Sequence, residues 1–81
     1  MDNMLHLMYE DPKDKKVKVQ RFITWRALSA FIWDHELKDL QVNNDEGVSM
    51  VRVRFIPQRE RFRIELYSGF TIPASFLAQF N

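Results

Sequence analysis

The sequence predicts an α+β fold: an antiparallel sheet of four to six strands with one main helix packed on one face. The expected order is β-β-α-(β)-β-β-β with a short C-terminal helix. Three observations carry this. "VSMVRVRFI" and "RFRIELY" alternate apolar and charged residues over two consecutive runs, the period of half-buried strands. "MLHLMY" and "KVKVQRF" alternate in the same way around a charged segment containing Pro12. "WRALSAFIWDHEL", between these pairs, holds neither Gly nor Pro and several strong helix formers.

In residues 4–9, Leu5 and Leu7 share one face of a strand, and Met4, His6 and Met8 the other. "EDPKDK" reads as a turn. Val17 and Val19 then face one way, and Lys16, Lys18 and Gln20 the other, completing an N-terminal hairpin. Thr24 is an N-cap candidate, because its hydroxyl accepts a hydrogen bond from a first-turn amide. At 100° per residue, Trp25, Leu28, Phe31 and Ile32 fall on one side of the helix with His35 beside them. Ala30, Trp33 and Leu37 fall on roughly the opposite side, so the helix carries nearly two apolar stripes where one is usual. Asp34 and Glu36 oppose the helix dipole and predict an early end.

Leu40 and Val42 either finish the helix or begin a short strand, and "NNDEG" is a loop in both cases. Val51, Val53 and Phe55 share one face of the next strand, as do Phe62, Ile64 and Leu66 of the one after, with "PQRER" turning the corner. Ser68 and Gly69 predict a tight turn, "FTI" a further short strand, and Pro73 an early helical position. Phe76, Leu77 and Phe80 then line one side of the terminal helix.

A chain of 81 residues is expected to form one small domain spanning 1–81, near the lower size for folding without a staple. There is no cysteine, so a disulfide framework and a thiolate zinc site are both excluded. Stability then rests on packing, for which seven Phe and two Trp are available. Fully burying one Phe contributes roughly 1.5–3 kcal/mol. No apolar run approaches the ~18 residues that span a bilayer, and the start lacks the apolar core of a signal peptide. The expected setting is cytoplasmic, without membrane association.

Formal net charge is +1, but the charges are segregated. Asp34, Glu36, Asp39, Asp45 and Glu46 lie against Lys38 alone, whereas Arg52, Arg54, Arg59, Arg61 and Arg63 lie against Glu60 and Glu65. Such asymmetry steers charged partners even near zero net charge.

Nothing in the sequence points to catalysis, a cofactor or a metal. His6 and His35 have no ligand-like spacing, and no serine sits in a nucleophile elbow. Asp45 and Glu46 read as solvated loop carboxylates. Gly47 and Gly69 are too far apart to form a phosphate-cradling loop.

The arginines are the main candidate site. Placing Phe55 opposite Phe62 sets Arg52 against Glu65, a favourable pair, and Arg54 against Arg63, an unfavourable one. Arg61 lies diagonally nearby and Arg59 in the turn. One reading makes this the wet face of a hairpin, charged against aggregation. The other makes it an anion-binding surface, which the planar fork of arginine suits. Trp33 is the second candidate, either covered by the terminal helix, buried in a homodimer, or exposed as an anchor for a partner.

The expected function is therefore a non-enzymatic protein-binding module. It would be a small regulator or inhibitor docking on a larger protein or nucleoprotein complex. Small inhibitors and adaptors of phages and mobile elements share this build, an analogy of size and composition. The alternative is a direct nucleic-acid binder that uses the arginines on phosphates. A near-zero net charge weighs against it.

Overall fold

The computed structural model describes residues 3–81. The elements run β1 (Leu5–Glu10), β2 (Val17–Phe22), α1 (Trp25–His35), β3 (Leu40–Asn43), β4 (Ser49–Ile56), β5 (Arg61–Leu66) and α2 (Ala74–Ala78). The strands form one five-stranded sheet in the order β2-β1-β3-β4-β5, and every neighbouring pair is antiparallel. β2 and β3 both flank β1 and so run parallel to one another, with α1 as the crossover between them.

The register sorts every strand side chain onto one of two faces. Leu7, Val42, Val51 and Leu66 stand in one row across the sheet, and Tyr9, Leu40, Val53 and Ile64 in the next. Most of this face is buried, in one cluster with Leu28 and Ile32 of α1 and Phe76 and Phe80 at the C-terminal end. Edge-to-face aromatic contacts run Trp25–Phe76–Phe80–Phe62–Phe55 along this layer. The other face carries the row Val19, Met8, Gln41, Arg52, Glu65. Among the described residues no helix packs there, and the helices cover the other side of the sheet.

The structure chooses the side of the sheet for β2 and corrects one expected strand. In β2, Val17 and Val19 mark the open face and are exposed, at 70% and 58%. Pairing Leu5 with Phe22 and Leu7 with Gln20 places Lys18, Gln20 and Phe22 on the helix side instead. No strand forms over residues 70–72. Ser68 and Gly69 do turn, with Gly69 at φ 93°. Phe70 and Ile72 then pack against the core as irregular chain, and Pro73 starts α2 before a strand can be completed.

The helix ends explain a second difference. Thr24 caps α1, its hydroxyl accepting from the Ala27 amide at 3.1 Å. At the far end Glu36 adopts the left-handed conformation, φ 52°. Its N–H donates to the Trp33 carbonyl, and the Leu37 N–H donates to that of Ile32. This is a Schellman closure, which normally brings the residue after the left-handed one against the third from the end. Leu37 is accordingly swung under the helix and buried, leaving Ala30 and Trp33 exposed.

Candidate binding surface

β4 and β5 position the arginines. Their ladder pairs Arg52 with Glu65, Arg54 with Arg63 and Ile56 with Arg61, all on the open face, because the intervening Val51, Val53, Ile64 and the Phe55–Phe62 pair face the helices. The turn after Ile56 closes with Glu60 at φ 52° and leaves Arg59 exposed at the tip.

The ion pairing differs from that expected of directly opposed residues. Glu65 does not close on Arg52. Its Oε1 lies 3.4 Å from Arg54 Nη2 and 3.5 Å from Arg63 Nε. One carboxylate oxygen thus lies between the two opposed guanidiniums and relieves their repulsion. Arg63 is two residues from Glu65 on the same face, and Arg54 is its diagonal neighbour across the ladder. Diagonal pairs on a face are the sequence signal for this arrangement. Among the described residues Arg52, Arg59 and Arg61 have no carboxylate within ion-pair distance. Arg59, Arg61 and Arg63 line a shallow depression of about 480 Å³ together with Ile56 and Phe62. The guanidiniums therefore border apolar surface, which residue spacing alone did not reveal.

Trp33 lies elsewhere, on the helix layer, and is 71% exposed. The terminal helix does not cover it. Trp33 walls a groove of about 430 Å³ whose floor includes Ile32, Leu37, Phe62 and Phe80, with Glu36 and Lys38 at the rim. Gln79 also lines it, and its side-chain Nε2 is buried without a hydrogen-bond partner among the described residues. The arginine surface and Trp33 thus form two candidates on opposite layers, with Phe62 lining both the arginine depression and the Trp33 groove.

The histidines are not brought together. His6 faces the open side and holds Asp45 at 2.9 Å. His35 stacks on Phe31, with ring centroids 4.0 Å apart, and its Nδ1 lies 2.9 Å from the Phe31 carbonyl. Asp45 is no free loop carboxylate, since its second oxygen accepts the Met4 N–H at 3.0 Å. These two contacts, the Met4 amide foremost, hold its carboxyl below the usual aspartate value. Among the described residues no group of three or more His, Cys, Asp or Glu could hold a metal ion, and no helix is long and apolar enough to cross a membrane.

No protein-family model, curated protein or solved structure matches the chain.

Proposed function

We propose that the protein is a non-enzymatic protein-binding module, a small regulator or inhibitor that docks on a larger macromolecular complex. The β4–β5 arginine face is its contact surface. The observation that carries this reading is the shared Glu65 oxygen. Arg54 and Arg63 share one Glu65 oxygen, and among the described residues Arg52, Arg59 and Arg61 have no carboxylate within ion-pair distance, an arrangement that costs stability and that a partner's acidic groups would relieve. The apolar surface of Ile56 and Phe62 beside Arg59, Arg61 and Arg63 fits a partner that also brings apolar side chains. A protein does so and a phosphate backbone does not. Arginine beside apolar surface is also the composition of interface hot spots.

Direct binding of nucleic acid is the competing reading. Beside the arginines lie Phe62, at the edge of the depression, and Tyr67, just beyond β5, whereas single-strand readers stack several bases. The open face also carries Glu10 and Glu65.

The test places a photo-crosslinking residue at Arg52 and irradiates in nuclease-treated lysate of the source cells. A discrete protein adduct that Arg54→Thr/Arg63→Thr abolishes is the expected result. An adduct unchanged by that double substitution would overturn the reading. So would oligonucleotide binding that falls steeply with salt and disappears in the same variant, with no protein adduct.

A further inference from the structure

The opposite edge of the sheet has a separate property. The Asp11 N–H donates to the Lys16 carbonyl at 2.9 Å, while the Glu10 N–H donates away from β2, to the Asp39 carbonyl at 3.2 Å. Bonded and non-bonded pairs alternate along an antiparallel ladder. The pairs Glu10–Val17, Met8–Val19 and His6–Arg21 are therefore the non-bonded ones. The backbone N–H and C=O groups of Val17, Val19 and Arg21 point outward from the sheet. Among the described residues no hydrogen bond takes them up.

Exposed edges are usually blunted by proline, bulges or free lysines. β2 contains no proline, and its register with β1 runs without a shift. Its lysine does not project as a guard: Lys18 Nζ is drawn back to Asp11 at 2.6 Å and Asp14 at 3.0 Å. Among the described residues β2 keeps one free charge, the exposed Arg21, where the other edge, β5, carries Arg61 and Arg63. Exposed apolar residues line this edge, with Val17, Val19 and, just beyond the strand, Ile23 at 65%, while on β5 Leu66 is exposed.

The sequence of β2 selects one self-pairing register. A two-fold centred on Lys18 or Arg21 opposes like charges, and one on Val17 sets Lys16 against Lys18. Centring on Gln20 sets both charged residues of β2 against apolar ones, Lys18 against Phe22 and Arg21 against Val19, and forms no apolar pair within the strand. Centring on Val19 stacks Val19 on its own copy, with Val17 opposite Arg21 and Lys18 opposite Gln20, and no like charges meet. We propose that a second copy of the chain pairs antiparallel along β2 about a two-fold axis at Val19, joining the two sheets into one. This interface lies at the far edge from β5 and leaves the arginine face free.

Sedimentation or light scattering on the intact chain should give twice the chain mass at high micromolar concentration, falling to one chain on dilution. Val19→Pro removes an outward N–H that β1 does not use, and it should run as a folded monomer. Val19→Lys opposes two charges at the axis and gives the same readout should the proline disturb folding. The chain has no cysteine, so Val19→Cys introduces a unique thiol. Opposed residues in a bonded pair lie about 5.5 Å apart between Cα atoms, within disulfide reach. Mild oxidation should therefore cross-link Val19→Cys far faster than Val48→Cys, an exposed loop control. A monomer at all concentrations, a dimer indifferent to both Val19 substitutions, or equal cross-linking at the two positions would overturn the proposal. Faster cross-linking of Gln20→Cys than of Val19→Cys would overturn its register.

Discussion

Arg54 and Arg63 face one another across the β4–β5 ladder and hold the same oxygen of Glu65, at 3.4 and 3.5 Å. All three side chains are partly exposed, so solvent screens much of the interaction. Glu65→Gln should still cost about 0.5–1 kcal/mol, because it leaves opposed guanidiniums without a counter-charge. Urea denaturation at low and high salt checks this, since screening should remove most of the difference. Adding Arg63→Thr should recover the loss. A cost independent of salt would mean that packing, not charge, is responsible.

Glu36 takes the left-handed conformation that ends α1, a position where a side chain costs roughly 1 kcal/mol and glycine does not. Glu36→Gly should raise stability by about 0.5–1 kcal/mol, after the greater freedom of glycine in the unfolded chain is set against the gain. A lowered thermal midpoint would contradict this account of the helix end.

Leu37 and Trp33 should respond in opposite ways although the helical wheel groups them. Leu37→Ala empties a buried site and should cost about 2–5 kcal/mol. Trp33→Ala, at an exposed position, should stay within about 0.5 kcal/mol of the parent. Chemical denaturation of the two variants side by side decides. Comparable losses would place Trp33 in the core after all.

Acid should loosen the N-terminal strand and the first turn. Asp45 is held below its usual value by the Met4 amide and His6. Asp11 is lowered by Lys18 and the Lys13 amide, and Asp14 by the Lys16 amide and Lys18. A carboxylate whose folded value is depressed stabilises above its unfolded value and loses that contribution as pH falls through the folded one. Stability should therefore decline from around pH 4 downward. Asp45→Asn and Asp11→Asn should each be less stable at neutral pH and show a shallower acid decline. Lys18 is raised by Asp11 and Asp14, so it adds a loss only at strongly alkaline pH. Denaturation midpoints across the acid range, read for parent and variants, provide the check.

What was legible in the sequence follows the range of the interaction responsible. The β4–β5 register, with Arg54 opposite Arg63, follows from local alternation and a short turn. The N-cap at Thr24 is local as well. The side of the sheet that Val17 and Val19 occupy is not, because a lone hairpin has two faces and only the covering helices choose between them. Leu37 escaped for a related reason. Its burial depends on a left-handed residue that is not glycine, so the usual stop signal is missing. Asp45 reaches back to Met4 and His6 across 41 and 39 residues, a closure that no spacing rule anticipates. The site was legible as a set of arginines, but the path of charge through Glu65 and the apolar floor beside Arg59 required coordinates.

β3 is four residues long, yet within the sheet it is the strand that joins the β1–β2 hairpin to the β4–β5 hairpin. Each hairpin can assemble from neighbours in the chain, whereas β3 must be gripped from both sides. Its ladder amides can therefore exchange with solvent only when one hairpin detaches from the other. Deuterium uptake in this segment measures the opening of the whole sheet, and uptake at the outer strands measures only the fraying of an edge.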